Sequence, residues 1–348
     1  MTSLDLTNIE IQQLITHHIG NKLRDEKYIL SSETSIVENS TREFLLKYFL
    51  LPMRPEEFYS FSHSVQLGMN EIYSLVKNTF NHPGSFISDS QSIAKLLYEQ
   101  SMHPKIKEGE LNIVHFSNIV LEGEIVEAIG LFKSETDVPY IKMKNLKSKF
   151  SINHDYGFEI KGMDKGCIIF NTDEQIGYKI LIVDNANKST EAQYWKDDFL
   201  KVKPISNEFH QTKQFLNITK GFVTKQLPGE FEINKADQID ILNRSVEYFK
   251  THETFDKNDF EKEVFQDNNI IASFRDFDKA YRENNDIKLS ESFGISSQAV
   301  KKQARVFKSV LKLDKNFHIY IHGNRELIKR GIENDGRKYY KIYYDKEE

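Results

Sequence analysis

The hydrophobic period of this chain switches more than once along its length, and that switching limits the folds open to it. Between about residues 40 and 100, apolar side chains recur at helical spacing. Ser40-Thr41-Arg42-Glu43 has capping-box spacing, with Ser40 as the cap and Glu43 reaching back, ahead of the stripe Phe44, Leu45, Tyr48 and Phe49. Val65, Met69, Ile72, Leu75, Val76 and Phe80 predict a second helix, and Ile93, Leu96 and Leu97 a third that starts near Ser88. From residue 111 strand character takes over. Residues 111–121 and 124–133 are rich in Val, Ile and Phe and flank Glu122-Gly123, a hairpin turn composition. Residues 167–170 and 178–184 are nearly continuous apolar runs separated by Asn171-Thr172-Asp173-Glu174, again a turn composition. Neighbours joined by short turns pair antiparallel.

Helical patterns return beyond Pro204, over residues 212–225, 235–250, 272–283 and 297–313. Near the end, Phe317, Ile319 and Ile321 alternate with His318, Tyr320 and His322, and Asn334-Asp335-Gly336 turns the chain before a strand at 338–344. The expected fold class is α+β. Residues 1–205 form a mixed domain with an antiparallel sheet, and residues 206–348 form a helical region with a C-terminal basic β-hairpin. The length of 348 residues accommodates two domains.

Composition narrows the chemistry. A single cysteine, Cys167, leaves no intramolecular disulfide and no Cys-based zinc site, and fits a reducing compartment. No apolar run approaches the ~18 residues of a membrane span, so no membrane partner is expected. Residues 1–10 are polar and acidic and do not read as a signal peptide. The expected setting is cytosolic.

Charge is distributed unevenly. From Ser296 onward there are thirteen Lys and Arg against seven Asp and Glu, a net of +6; the whole chain is −5, so the first 295 residues carry −11. A basic tail on an acidic body points to an anionic partner held at one end, although lysines also serve simply to keep a surface soluble.

The chain has no GxxxxGK[ST], GxGxxG, HExxH or GxSxG, so the common sequence-readable enzymes lack support. Residues 289–300 imitate a helix-turn-helix, with Gly294 at the turn and Gln298, Lys301, Lys302 and Arg305 on or after the second helix. The same residues also read as a plain helix start capped by Ser296 or Ser297, and Asn284-Asn285-Asp286 is a poor helix interior. At the terminal hairpin, Arg337, Tyr339, Lys341 and Tyr343 share one strand face by alternation, with Lys338 beside them and Lys329 and Arg330 on the partner strand. Cations interleaved with tyrosines suit phosphates and bases. Lysines that blunt an edge hairpin give the same pattern.

Glu159-Ile160-Lys161 matches the ExK of metal-dependent nucleases, and on a strand Glu159 and Lys161 would share a face; Asp155 is too close in sequence to come from a separate strand. The histidines show no ligand spacing beyond His318 and His322, and His17 and His18 point to opposite faces if extended, so no metal site is expected.

Several stretches carry a family likeness: His17-His18-Ile19-Gly20-Asn21-Lys22, residues 97–111, Ala128-Ile129-Gly130-Leu131-Phe132-Lys133-Ser134-Glu135, residues 164–171, 177–184 and 192–200, and Lys312-Leu313-Asp314-Lys315-Asn316-Phe317. Through them the chain resembles the bacterial nucleoid-associated (NdpA-like) protein family, most densely between about residues 15 and 200. The resemblance implies a nucleoid-associated protein of the cytoplasm that binds DNA. It implies no enzymatic activity, and so supplies no catalytic residue and no cofactor. The partner it implies is double-stranded DNA, with nucleoid or DNA-topology proteins as further candidates and self-association left open. The alternative is a protein–protein adaptor that docks such a factor through the acidic N-terminal domain; the remote alternative is the nuclease.

Overall fold

The computed structural model describes residues 4–53, 55, 57–185, 194–285, 287–304, 310–313, 317–320, 327–333, 335–344 and 346. It is an α+β protein whose chain divides into two compact units, Met1–Ile205 and Ser206–Glu348.

The first unit is built on an eight-stranded antiparallel sheet. Its order is β1 (Leu4–Asp5), β4 (Gly109–Leu121), β5 (Glu124–Ser134), β8 (Lys165–Phe170), β9 (Lys179–Asp184), β3 (Tyr59–Phe61) and β10 (Val202–Pro204), and β2 (Glu10–Ile19) also pairs with β4. Three helices cover it: α1 (Asn39–Leu50), α2 (Glu71–Asn81) and α3 (Phe86–Gln100). On one face Ile72, Val76, Ile93 and Leu97 of α2 and α3 share a core with Leu111, Ile113, Ile129, Leu131, Cys167 and Ile169. On the other, Tyr48 and Phe49 of α1 share a core with Val114, Phe116, Phe132, Ile168 and Phe170. Both faces are buried, so the central strands have no wet side that would call for polar residues, hence their near-continuous apolar runs. The β4–β5 turn is the expected one. Glu122 (φ 55°) and Gly123 (φ 89°) are both left-handed, the two-residue turn whose twist matches the strands.

Several expectations are corrected. α1 begins at Asn39, so Ser40 lies inside the first turn and does not cap it, and Glu43 bonds Lys47 one turn on at 2.6 Å. Val65 and Met69 lie ahead of α2 and are exposed, because the Asn70 side chain accepts from the Tyr73 N–H at 3.0 Å and starts the helix there. α3 starts at Phe86, led in by a 3₁₀ turn at Pro83–Ser85. Tyr194, Trp195, Phe199 and Leu200 anchor on the sheet core through a π-helical turn, Trp195–Leu200, with Trp195 wholly buried. A ribbon of β6 (Val138–Asn145) and β7 (Phe150–Gly157), whose strands pair with no other strand among the described residues, was not anticipated.

In the second unit α4 (Glu208–Gly221) runs through a π-helical turn at Phe222–Gln226 into α5 (Leu227–Glu230), followed by α6 (Lys235–Thr251). β11 (Thr254–Asp256), α7 (Lys257–Val264), α8 (Asn268–Asn284), β12 (Ser292–Gly294) and α9 (Ser297–Ala304) come next. The core is largely aromatic: Phe215, Phe222, Phe255, Phe260 and Phe274 are fully buried, and Phe215 and Phe255 rings lie 4.3 Å apart. The unit ends in two hairpins, β13 (Val310–Leu313) with β14 (Phe317–Tyr320), and β15 (Ile328–Ile332) with β16 (Lys338–Ile342). Of the helix expected over 297–313, Ser297–Ala304 is helical and Val310–Leu313 is instead a strand, residues 305–309 lying outside the described residues. A strand at 317–320 needs a ladder partner for its backbone groups, and 310–313 supplies it.

Candidate nucleic-acid interface

The register of the terminal hairpin decides which cations stand together. Lys329 is opposite Lys341 and Gly331 opposite Tyr339, so these positions share one face, with Tyr343 continuing it just beyond β16. Arg330, opposite Tyr340, and Lys338, opposite Ile332, belong to the other face. That second face is the docked one: Ile328 is buried with Ile239 of α6, and Tyr340 packs against them. Arg330 thus leaves the strip expected from the sequence and borders a cleft with Glu230 and Glu232. Arg337 lies in the turn, where its Nε donates to the Asp335 carboxylate at 2.6 Å, so its charge is locally compensated.

On the exposed face the ammonium groups of Lys329 and Lys341 both sit over the Tyr343 ring, 5.6 and 5.0 Å from its centroid. Among the described residues no carboxylate lies within ion-pair distance of Lys329 or Lys341. Gly331 is required by its neighbour: a Cβ there would come within 2.2 Å of the Tyr339 phenol, which lies across the opposite strand. Among the described residues the face therefore presents two ammonium groups without a carboxylate partner and two half-exposed phenols, Tyr339 and Tyr343.

The other cations named from the sequence lie on α9. Lys301 and Lys302 are exposed there, with the Lys302 ammonium 5.1 Å from the centre of the Phe209 ring. Ala299 and Val300 are buried, and α9 packs against α4 and α6. The ribbon and α9 thus share α6 as a support. Arg305 lies outside the described residues, as do Asn334 and His322.

The helix-turn-helix reading of 289–300 fails. The residues before Gly294 form β12, paired antiparallel with β11, and Ser296 caps α9 by accepting from the Ala299 N–H at 3.3 Å. A helix pair joined by three residues does occur upstream as α7 and α8, but the exposed side of α8 carries Arg275, Asp276, Lys279 and Glu283 in balance. Arg275 is also held by Glu261 at 2.6 Å. The ExK reading fails too. Glu159 and Lys161 lie in a tight turn closed by the Gly162 N–H to Glu159 O at 2.8 Å, not on a strand. Asp155, on β7, faces Lys142 at 3.4 Å. Among the described residues no three His, Cys, Asp or Glu cluster as metal ligands.

Sequence reasoning missed a second concentration of charge, because its members are buried and 30 residues apart. The Glu135 carboxylate accepts from Lys133 at 3.0 Å and Lys165 at 2.7 Å, both lysines being fully buried, and from the Tyr194 hydroxyl at 3.2 Å. Burial alone would raise the Glu135 carboxyl, but the two ammonium ions hold it below the ordinary glutamate range. Burial pushes the Lys133 ammonium down despite that carboxylate. Glu135 closes one side of an open cleft of about 500 Å³ lined also by His18, Arg24, Lys107, Glu108 and Glu110. No single spacing in the sequence signals such a triad.

The described structure is that of an α+β protein with an exposed, tyrosine-bearing basic ribbon and no metal-ligand cluster among its described residues. The family model for nucleoid-associated protein YejK matches residues 15–345, and the chain belongs to this bacterial nucleoid-associated protein family. The resemblance read from the sequence thus holds over nearly the whole chain. No curated protein matches it. No helix among the described residues is long and apolar enough to cross a membrane.

Proposed function

We propose that this protein binds double-stranded DNA in the nucleoid through its C-terminal unit, largely independent of sequence and without catalysis or a cofactor. The observation that carries this reading is the pair Lys329 and Lys341, directly opposed and free of carboxylate partners among the described residues, beside two accessible phenols. Two like charges held opposite each other weaken a hairpin, so a polyanion that neutralises both is the natural complement. Lys301 and Lys302 on α9 extend the cationic surface, with Arg330, Lys338 and Arg337 as peripheral contributors. Membership of a nucleoid-associated protein family favours DNA as that polyanion.

A filter-binding titration of the full chain on two unrelated duplexes tests this. With five or six phosphate contacts, log affinity falls against log salt with a slope of about −5 on both. A flat slope overturns it. A pure protein with no DNA affinity that still co-purifies with the nucleoid would instead support an adaptor acting through the acidic first 295 residues, which carry −11.

A further inference from the structure

Among the described residues β6 and β7 pair only with each other, and strand alternation sorts their side chains onto two unlike faces. One face carries Ile141 and Met143 from β6 with Phe150, Ile152 and Tyr156 from β7, each between 58% and 69% exposed, together with Pro139, Asn145 and His154. No Asp, Glu, Lys or Arg stands on it. The opposite face is polar, with Lys142 bonded to Asp155 beside Lys144, Ser151 and Asn153. A lone two-stranded ribbon is marginal in water, and an apolar face of this kind is uncommon on a monomer.

We propose that this ribbon is a dimerisation arm, and that two copies of the chain press their apolar faces together about a two-fold axis with the ribbons antiparallel. Three observations favour a second copy over another occupant. The face carries no Lys or Arg to meet a phosphate or an acidic peptide and no carboxylate, whereas a second such apolar face complements it. Area also fits: at ~100 Å² or more per large side chain, five of them on each ribbon bury roughly 1,000 Å² between two copies, the size at which a specific interface begins. Finally, the antiparallel two-fold separates the lysines of the two tips, Lys147 and Lys149, by about the ribbon length, ~26 Å for eight residues. It also brings each tip, with exposed Leu146, to the foot of the partner ribbon. There Phe158 and Ile160 join Phe44, Leu45 and Tyr48 around an open, largely apolar pocket of about 350 Å³. Such an isologous contact closes on itself and does not polymerise.

The proposal is independent of what the C-terminal unit binds. Sedimentation equilibrium of the full chain at micromolar concentration gives the dimer mass. Ile141→Lys with Ile152→Lys gives the monomer mass with an unchanged far-UV circular dichroism spectrum, while Lys142→Gln with Lys144→Gln on the polar face leaves the dimer intact. As a variant that keeps the ribbon apolar, Met143→Cys cross-links two copies through a short bismaleimide that can span facing sheets, and Lys142→Cys does not; the one native thiol, Cys167, is buried and silent. A wild-type chain that stays monomeric, or a dimer that survives the double lysine variant with no cross-link through Met143→Cys, overturns the proposal.

Discussion

Lys329 and Lys341 face each other directly across the terminal hairpin, and both ammonium groups crowd the ring of Tyr343 at 5.6 and 5.0 Å. Opposed like charges cost a hairpin a few tenths of a kcal/mol or more, so this pair is arranged against the stability of its own ribbon. Replacing either lysine with Thr should leave the thermal midpoint unchanged or slightly higher. DNA affinity should fall roughly eightfold per lysine at about 0.1 M salt, with the log–log slope shallower by ~0.9 each. Parallel melting curves and salt titrations check both halves. A loss of binding that tracked a loss of stability would point to misfolding as the cause.

The buried triad makes an asymmetric prediction. Glu135→Gln leaves two enclosed ammonium ions without the carboxylate they share, and should cost about 3–5 kcal/mol by denaturant unfolding. Lys133→Met removes the more heavily penalised ion and leaves a matched Lys165–Glu135 pair, so it should be far milder. The glutamate is depressed in the folded state, so its contribution is fully present above the unfolded carboxyl value and is lost as pH falls through the folded one. Acid unfolding of Lys133→Met should therefore remain sensitive to Glu135, and comparison of the single and double variants measures it.

His17 supplies a second acid-linked term. Its Nδ1 accepts from the Ser31 N–H at 3.1 Å and its Nε2 lies 3.1 Å from the Ser90 hydroxyl, and burial pushes the imidazole down to about 4. The unfolded chain takes up this proton first, near pH 6.5, so stability should decline from about there toward pH 4. In His17→Gln the decline over that window should be shallower, whatever the loss at pH 7. Identical slopes in the two proteins would remove His17 from the account.

Cys167 sits at the centre of β8 with no exposed surface, and burial pushes its thiol far above the ordinary range. A thiolate-seeking reagent should leave the native protein untouched at pH 8 and label it at the rate of global opening, accelerating with denaturant. Rapid labelling of the folded chain would contradict the packing of the sheet.

What could be read from the sequence follows from where free energy is local. The β4–β5 hairpin was legible because Glu122-Gly123 and the flanking apolar runs agree, and the α+β class followed from the change of period. The β6–β7 ribbon was not, because alternation that ends in water leaves no core signature to distinguish it from a loop. Ser40 was misread as a cap because Glu38 holds that place and the helix starts two residues earlier than the motif implies. At the candidate interface Tyr339, Lys341 and Tyr343 were placed together by alternation alone. Alternation also sets Lys329 and Arg330 on opposite faces, but that Lys329 is the one beside Lys341 required the cross-strand register, and the pairing of Arg337 with Asp335 required the turn.

A sheet clad on both sides by helices has a consequence for how this architecture can diversify. Its strands have no vacant broad surface, so a new partner preference cannot be written onto the barrel-like core without unpacking it. The protruding hairpins are different, since most of their side chains have few neighbours to disturb. Sequence drift there is cheap structurally, and related chains should differ in what they hold on to mainly at these fingers while their centres stay alike.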